Sequence, residues 1–476
     1  MTHHLPFSAA ALAACLSLMA SPVGAAGSDP SAGEPAFRAI YKELVEIDSS
    51  WPDGSCTLVA ERMAAHLEKA GYPDADVRII VDSAHPKEGN LAAILHGTDA
   101  KLPPLLLLAH IDVVAARRAD WTRDPFTLIE ENGYFYGRGT SDDKAMAAAF
   151  TDAMIRFRQE GFKPRRTIKL ALTCGEETEK ALNGVSYLLK NNPDALSAGW
   201  ALNEGGGGTL DEKGKPVSNG VQAGEKVYQD FTFSATAAGG HSSRQVPHEN
   251  AIGWMADALA RVNAYDFPVD LVPAAKAFFG ASALLYKDQP AASAGMATIG
   301  NGKATAADYA AVSAGNPSWN ATLRTTCIPT LVNGGHAANA QPQSVTANVN
   351  CRIIPGESVE SILAKLSDLA GGKVKVALAD APQPKTSAPP LTSQIMAPIE
   401  AISKEMWPGV PVIPRLSTGA TDGRFTNAAG IPTYGVSGIF SDPDGQGVHG
   451  LNERMRVRSL LDGRIFLYRL VKAYTE

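Results

Sequence analysis

Histidine and carboxylate side chains recur in this chain directly after short apolar runs, which occupy residues 105–109, 167–173 and 201–203. The polar groups that follow these runs, or lie in a glycine-rich turn, are His110 and Asp112, Asp142 and Asp143, Glu176 and Glu177, and Glu204. Imidazole and carboxylate groups bind divalent cations and also transfer protons. The pattern therefore predicts one converging site for metal binding and acid–base chemistry.

The segment His110-Ile111-Asp112 suits a metal site in a specific way. Residues two apart on an extended segment point in the same direction. Asp112 can therefore accept the second ring N–H of His110, fix its tautomer and leave the other ring nitrogen for a metal.

The remaining acids also have plainer interpretations. Asp142 or Asp143, at the end of the turn at 137–144, could simply cap the helix that follows. Glu176 and Glu177 could be first-turn acids that the helix dipole favours. The convergence of all these groups at strand ends favours the functional interpretation.

The elements that must position these residues follow from hydrophobic periodicity. The apolar runs 91–95, 105–109 and 167–173 are typical of buried strands. Residues 36–72 favour helix, and apolar residues at three- and four-residue spacing predict a second helix after Asp143. Strands that alternate with helices predict an α/β fold whose sheet is substantially parallel, and such sheets bind ligands at the carboxyl ends of their strands.

The pattern changes after the four glycines at 205–208. Alternation over 227–235 predicts a half-solvated strand, and the apolar spacing over 252–262 predicts an amphipathic helix. Residues 267–318 are rich in Ala, Pro and Gly with little periodicity, whereas 321–331 and 345–354 favour strands. We therefore predict an inserted α+β domain at 218–356 within a catalytic domain formed by 27–217 and 357–476.

Composition restricts the class of protein. The 476 residues are 45% hydrophobic and carry a net charge of −6, so the chain is globular and unlike a nucleic-acid binder with a basic surface. Five cysteines in this length exclude a disulfide scaffold. Cys327 and Cys351 lie in two strand-like runs, and their spacing leaves open whether they form a disulfide.

The first 26 residues resemble a signal peptide, with an apolar run from Phe7 to Met19 and small residues for cleavage near Ala25 or Ala26. A lipoprotein-type box at Cys15 is the alternative. No later run is long and apolar enough to span a bilayer. We expect a periplasmic or secreted protein.

Seven motifs together resemble one family of enzymes. They are AHIDVV, GRGTSDDK, CGEETE, NEGG, GGHSS, the run 334–352 and GVHGLNER, in this order. The chain is similar to the co-catalytic zinc hydrolases that include glutamate carboxypeptidase, aminoacylase, carnosine-type dipeptidases and succinyl-diaminopimelate desuccinylase, metallopeptidase family twenty. The resemblance implies a mixed-sheet zinc peptidase domain with an inserted α+β lid and dimerisation domain.

The resemblance also implies roles for the residues of these motifs. Two Zn²⁺ ions per chain are expected, although Mn²⁺ or Co²⁺ would fit the same ligands. Asp112 would orient His110, and Glu176 would be the general base that activates a metal-bridging water. The implied metal ligands are His110 and Glu204 for the first ion, Glu177 and His449 for the second, and Asp142 as the bridge.

The inserted domain supplies further expected contacts. His241 in the GGHSS motif would reach the active site of a partner subunit in a homodimer and stabilise the oxyanion. Asn339 and Arg352 would contact the carbonyl and carboxylate of the substrate, and the loop around Gly419 would offer backbone N–H groups to the same carboxylate.

The expected function is hydrolysis of an amide bond next to a free carboxylate, foremost as a carboxypeptidase on short peptides. An aminoacylase acting on N-acyl amino acids and a dipeptidase are the alternatives among enzymes, because each cleaves such a bond. A catalytically inactive metal-binding homologue is the alternative from another class. The presence of the base Glu176 beside all five ligands argues against it.

Overall fold

The computed structural model describes residues 1–3, 29, 31–178 and 180–476. The apolar leader run, Cys15 and the expected cleavage point lie outside the described residues. Among the helices of the described ranges, none combines the length and apolar character that crossing a membrane requires.

The described residues form nineteen strands and fourteen α-helices. The strands are β1 (Val77–Ile80), β2 (Asn90–Leu95), β3 (Leu105–His110), β4 (Ile129–Glu131), β5 (Tyr134–Tyr136), β6 (Ile168–Thr173), β7 (Trp200–Asn203), β8 (Gly207–Leu210), β9 (Pro216–Glu225), β10 (Val227–Thr236), β11 (Gly240–His241), β12 (Thr326–Gly334), β13 (Ala340–Gln341), β14 (Ser344–Ile353), β15 (Lys375–Leu378), β16 (Val412–Ser417), β17 (Thr433–Gly435), β18 (Phe440–Ser441) and β19 (Arg454–Arg456). The helices are α1 (Glu34–Glu46), α2 (Cys56–Lys69), α3 (Lys144–Gln159), α4 (Gly184–Asn191), α5 (Pro193–Leu196), α6 (Ala251–Ala264), α7 (Pro273–Ser282), α8 (Pro290–Gly300), α9 (Ala306–Gly315), α10 (Pro317–Leu323), α11 (Val359–Ala370), α12 (Ser393–Met406), α13 (Gly423–Ala428) and α14 (Val457–Thr475).

Ten strands form one large mixed sheet. Its order is β1-β2-β6-β3-β7-β17-β9-β8-β18, and β16 pairs with β9 off this path. Strands β6, β3, β7 and β17 run parallel to one another. The pairs β1–β2, β2–β6 and β8–β9 are antiparallel. This sheet confirms the predicted α/β class with a mixed sheet.

Helices cover both faces of the large sheet, as the continuous apolar run of β3 requires. Leu105 and Leu107 pack in a core with residues of α1, α3 and α14. Leu106 and Leu108 face the opposite core, which α4 and α5 complete. The parallel strands are therefore buried on both sides, and their carboxyl ends lie at one edge of the sheet.

A second, antiparallel sheet has the order β12-β14-β10-β15. Helices α6 and α11 pack on one face, against the buried alternate residues of β10. Cys327 and Cys351 are paired residues of β12 and β14, and the structure joins them in a disulfide. Two elements after residue 356 also pack here, since β15 belongs to this sheet and α11 to its core.

Residues 267–318, whose sequence shows little periodicity, contain most of a helical cluster formed by α7 to α10. Phe279, Met296, Val312 and Trp319 form its core. The cluster rests on the large sheet, where Ala275 packs against Leu416 of β16.

The N-terminal region also differs from expectation, because 36–72 is two helices and not one. The chain between α1 and α2 contains Trp51 and Pro52, and a proline here prevents a continuous helix. Cys56, the first residue of α2, forms a disulfide with Cys174, just after β6. The sequence did not predict this pairing.

Candidate metal centre

Three neighbouring parallel strands deliver candidate residues to one edge of the large sheet. His110 is the last residue of β3, Glu176 and Glu177 follow the end of β6, and Glu204 follows β7. The turn before α3 and the loop before β19 add Asp142 and His449. These six residues come from widely separated parts of the sequence and lie in one cluster.

Asp142 lies between the two histidines. Its Oδ1 is 3.0 Å from Nε2 of His110, and its Oδ2 is 3.0 Å from Nε2 of His449. Nε2 of His449 is also 2.9 Å from Oε2 of Glu177, and Nε2 of His110 is 3.8 Å from Oε1 of Glu204. The five side chains therefore form two groups that share one carboxylate.

These distances fit two cations. Ligand atoms about 2.1 Å from a common zinc ion lie about 3 to 3.5 Å from each other in tetrahedral or octahedral arrangements. The contacts at 2.9 and 3.0 Å fall close to this range, and the contact of 3.8 Å requires only a wider angle. Two imidazoles and three carboxylates without a thiolate are a donor set suited to zinc, manganese or cobalt.

The orientation of His110 leaves Nε2 facing the cluster. Nδ1 of His110 is 3.1 Å from the backbone oxygen of Asp112 and 3.5 Å from its Oδ1. The nearer partner is thus the carbonyl oxygen, whereas the sequence predicted the carboxylate. The Asp112 carboxylate instead accepts the backbone N–H groups of Glu176 and Glu177, at 3.3 and 3.0 Å.

Asp142 is held by a residue that the sequence did not assign. The buried Glu453 carboxylate accepts the backbone N–H groups of Gly139, Ser141 and Asp142, at 3.0, 2.7 and 3.1 Å. It also accepts Nη1 of Arg138 at 2.7 Å. Glu453 therefore fixes the turn that presents Asp142, and its place in the GVHGLNER motif was the available signal.

The plainer interpretations of the acids do not describe this structure. Asp143 occupies the N-cap position of α3, but its side chain makes no capping hydrogen bond. Glu176 and Glu177 lie in a turn, and α4 begins only at Gly184. Contacts with distant parts of the chain, and not a helix terminus, therefore determine the positions of these acids.

The cluster carries an excess of negative charge. Burial is the main reason that the pKa of Glu176 is raised to about 8, with Asp422, Glu177 and Asp112 adding to the rise and His110 opposing it. Burial would raise the pKa of Asp142, but hydrogen bonds from His110 and His449 outweigh it and lower that pKa. Bound divalent cations would neutralise such a group of carboxylates.

Asp422 is a second residue that sequence reasoning did not assign. Its buried carboxylate accepts Oγ1–H of Thr173 at 3.0 Å and Nδ2–H of Asn183 at 2.7 Å. It contributes to the raised pKa of Glu176. The motif around Gly419 had drawn attention to this loop for its backbone and not for this side chain.

The residues expected to bind substrate lie on the inserted unit and on the 417–422 loop. His241 and Asn339 are exposed neighbours, since the N–H of Ser242 donates to the oxygen of Asn339 at 3.0 Å. Nδ1 of His241 accepts Ser243 Oγ–H at 2.8 Å, and the metal-ligand groups found among the described residues do not include His241.

Arg352 and Gly419 occupy different surroundings. The Arg352 guanidinium lies over the Tyr228 ring, with its carbon 4.7 Å from the ring centroid. The pKa of Arg352 is lowered, chiefly by burial and also by the nearby Arg424, whereas Tyr228 and Asp230 oppose this shift. Gly419 is exposed, and its N–H donates to Oγ of Ser417 at 3.1 Å.

Comparisons with known proteins show which family the chain resembles. The model of Peptidase family M20/M25/M40 matches residues 106–473. The chain is 29% identical over 394 residues to the N-fatty-acyl-amino acid synthase/hydrolase PM20D1.1 of Danio rerio, covering 79% of this chain and 73% of that protein. It is 27% identical over 402 residues to the probable carboxypeptidase S-like 2 of Dictyostelium discoideum, covering 79% and 72%.

A solved structure shows the same fold. The M20 family metallo-carboxypeptidase Sso-CP2 of Sulfolobus solfataricus superposes with a TM-score of 0.63 at 19% identity, covering 92% of this chain and 99% of that one. At this identity the likeness concerns the fold.

Proposed function

Because the chain belongs to Peptidase family M20/M25/M40, we propose that it is an exported dizinc hydrolase of amide bonds next to a free carboxylate. Its foremost activity is that of a carboxypeptidase on short peptides. One observation carries the proposal: each oxygen of Asp142 faces a different histidine at 3.0 Å, with Glu176 in the same cluster.

The distances between the side chains assign the proposed ligands to two groups, one for each cation. His110 and Glu204 would hold one zinc ion and Glu177 and His449 the other, with Asp142 placed to serve both. When bound, the two cations would acidify a water molecule and polarise the scissile carbonyl.

The chain's own residues handle the proton. Glu176 accepts a proton from the attacking water and passes it to the nitrogen of the leaving amine. Asp112 accepts the backbone N–H of Glu176, which fixes the base relative to His110. Charge from the neighbouring carboxylates keeps Glu176 a good proton acceptor once cations are bound.

The substrate carboxylate is proposed to bind Arg352, Asn339 and the N–H groups near Gly419. Among the described residues, no carboxylate lies within 4.0 Å of the Arg352 guanidinium, and Asp230 attracts its charge only from a greater distance. Direct pairing with a ligand carboxylate is therefore open to it. A guanidinium binds a carboxylate through two parallel hydrogen bonds, which also fixes the orientation of the scissile bond.

His241 is proposed to act in the active site of a partner subunit. The edge strand β12 exposes Ile328, Leu331 and Val332 at 59%, 71% and 67%, and an apolar edge of this kind suits pairing with a second copy. A His241→Ala chain mixed with a Glu176→Gln chain should regain activity in heterodimers. No recovery after verified subunit exchange would place His241 in its own chain's site, or in none.

Export is proposed from the apolar run Phe7 to Met19 and the small residues after it. The two disulfides, Cys56–Cys174 and Cys327–Cys351, support an oxidising compartment.

A second candidate is hydrolysis of N-acyl amino acids. The relative from Danio rerio is named for that activity, and the match covers 73% of its length. Both candidates cleave an amide beside a carboxylate, so the proposed anchors serve either substrate.

The test is a panel of peptides and N-acyl amino acids assayed with and without a metal chelator. We expect chelator-sensitive hydrolysis, and a loss of about 10- to 150-fold in kcat/KM when the substrate carboxylate is amidated. Arg352→Ala should reduce that difference, and Glu176→Gln should lose most turnover while both metals stay bound.

Three outcomes would contradict the proposal. Equal cleavage of amidated and free-acid substrates, with loss of cleavage on N-acylation, would indicate an aminopeptidase. Near-native kcat in zinc-loaded Glu176→Gln would remove the base assignment. Inactivity of the zinc-loaded protein on the whole panel would favour a metal-binding homologue without catalysis.

A further inference from the structure

A cavity of about 490 Å³ lies between the helical cluster and the large sheet. Its volume is within the range of small-molecule sites, about 300 to 1,000 Å³. Gly206, Arg415 and Leu416 line it on the side of the sheet, and Phe278, Tyr286 and Trp319 line it on the side of the helices. Strand residues therefore form one wall, and aromatic side chains of the helical cluster form the other.

The cavity adjoins the metal centre. Gly206 lines this cavity and also the cleft that contains Asp142 and Glu204. A Cβ on Gly206 would lie 2.3 Å from the backbone oxygen of Gly435, so the neighbouring strand excludes a side chain at this position. The cleft and the cavity thus meet at the Gly206 backbone, and a ligand that continues past this residue would enter the cavity.

Arg415 gives the cavity a charge with no partner of opposite sign. Among the described residues, no carboxylate lies within 4.0 Å of its guanidinium, and Nη2 has Oγ of Ser218 at 3.5 Å. The side chain is half-buried, and its buried Nε has no hydrogen-bond acceptor in the described chain. A partly buried cation without a counter-ion is costly, so an anionic ligand would be favoured here.

A glycine on the neighbouring strand leaves room for this guanidinium. A Cβ on Gly220 of β9 would lie 2.7 Å from Nε of Arg415. The absence of a side chain at Gly220 therefore lets the guanidinium lie against β9. On the opposite wall, the rings of Tyr286 and Trp319 meet edge to face, with centroids 4.7 Å apart.

We propose that this cavity is a substrate subsite for an apolar group that ends in a carboxylate, which pairs with Arg415. The aromatic rings would contact the apolar part, and the guanidinium would bind the charged end. This inference rests on the proposed function, because the occupant is part of the same substrate. The carboxylate is distinct from the one assigned to Arg352, and it belongs to an acidic side chain or to a dicarboxylic acyl group.

Two substrate pairs separate these sources. N-glutaryl-leucine against N-glutaramoyl-leucine places a carboxylate or its carboxamide on the acyl side. N-acetyl-glutamate against N-acetyl-glutamine places it on the amine side. Every substrate keeps the free α-carboxylate, so the contribution of Arg352 is constant.

We expect the acid to exceed its amide in kcat/KM by about 10- to 150-fold in one of the pairs. Arg415→Gln should reduce that ratio to below about threefold while the amide substrate is cleaved almost as before, and Arg415→Lys should restore part of the preference. Equal rates for acid and amide in both pairs would overturn the inference. Equal losses on acid and amide in Arg415→Gln would overturn it as well, because they would indicate a structural role.

A binding measurement keeps the inference testable if the proposed function fails. Glutarate and glutaramate are titrated calorimetrically into the zinc-loaded full-length chain. The preference for glutarate should fall at least tenfold in Arg415→Gln relative to the wild type and stay unchanged in Arg165→Gln, the control, which removes an exposed guanidinium 3.6 Å from Asp99. An unchanged preference in Arg415→Gln would overturn the inference, whereas absent hydrolysis with an Arg415-dependent preference would overturn only the proposed function.

Discussion

Replacing Glu453 with glutamine tests whether the Asp142 turn is held by one buried carboxylate. Glu453 accepts four hydrogen bonds, from Arg138 and from the backbone of Gly139, Ser141 and Asp142, at 2.7 to 3.1 Å. Glutamine keeps the shape but replaces one oxygen by an N–H₂ group, so about two of these donors lose their acceptor.

The magnitude follows from the number and kind of contacts. Hydrogen bonds to a charged group contribute about 1.5–3 kcal/mol each. Two lost bonds therefore predict a decrease of about 3–6 kcal/mol in the free energy of unfolding. Breaking a buried ion pair by changing one partner gives a similar figure, about 3–5 kcal/mol. Because the displaced turn carries Asp142, metal affinity should also fall, by about 10- to 100-fold.

The matched control is Asp152→Asn. Asp152 accepts Nε–H of Arg464 at 2.7 Å, and both side chains are buried. This variant breaks a buried ion pair elsewhere in the same unit, so it should lose comparable stability and keep its metal affinity.

The assay combines two measurements on each variant. Urea unfolding of the metal-free protein gives the stability, and competition with a chromophoric chelator gives the zinc affinity. Unchanged zinc affinity in Glu453→Gln beside a large loss of stability would refute the positioning role of Glu453. Equal losses of affinity in both variants would show that the effect is only a general consequence of destabilisation.

Three further predictions concern the ligands, a buried titratable group and a disulfide. His449→Ala should leave closer to one zinc per chain than two by elemental analysis, whereas His336→Ala in a similarly glycine-rich segment should leave two; equal losses would remove the ligand assignment. Burial raises the pKa of Glu225 to about 8, so the folded state holds a proton that the unfolded state lacks between about pH 4.5 and 8. Stability should therefore fall as pH rises through this window, by up to about 1.4 kcal/mol per pH unit relative to Glu225→Gln, and parallel pH profiles would contradict the shift. Removing the disulfide by Cys56→Ala with Cys174→Ala should cost about 5 kcal/mol for its separation of 118 residues, against about 3.5 kcal/mol for the 24-residue separation of the pair between β12 and β14; the opposite order in urea unfolding would contradict the loop-entropy reasoning.

Local pattern was sufficient for much of the catalytic unit. The buried runs at 91–95 and 105–109 lie within β2 and β3, and the run at 167–173 matches β6 except for its first residue. Helix α3 begins directly after Asp143, as predicted. A continuous apolar run is a strong signal because a strand buried on both faces requires it. Three- and four-residue apolar spacing is equally strong because a helix buried on one face requires it. The family expected from the motifs is confirmed by the match over residues 106–473.

The helical cluster could not be predicted because its helices carry almost no polar face. Gly280 of α7 and Gly300 of α8 approach so closely that a Cβ on Gly300 would lie 2.4 Å from Cα of Gly280. Such packing needs small residues rather than an apolar stripe, and Ala- and Gly-rich sequence then shows no periodicity. The cavity beside Arg415 was invisible for the same reason, since one of its walls belongs to this cluster.

Glu453 and Asp422 were not predicted from the sequence for a different reason. Glu453 contacts the turn that carries Asp142 across more than 300 residues of sequence, and Asp422 meets Thr173 across 249. No local pattern encodes such contacts, because the residue types alone fit a solvated loop equally well. The disulfide between Cys56 and Cys174 was missed on the same ground.

The two halves of the metal centre are held to different degrees. The His110 side chain is 1% exposed at the end of a central strand, whereas the His449 side chain is 56% exposed on a loop. That loop is positioned by Glu453, four residues after His449, through the same hydrogen bonds that fix the Asp142 turn. One C-terminal segment therefore supplies a proposed ligand and also orients the bridging carboxylate that both cations would share. It follows that the site cannot form from the N-terminal strands alone, and that metal binding should be coupled to docking of this segment, because a cation bound to Asp142 and His449 joins the two parts directly.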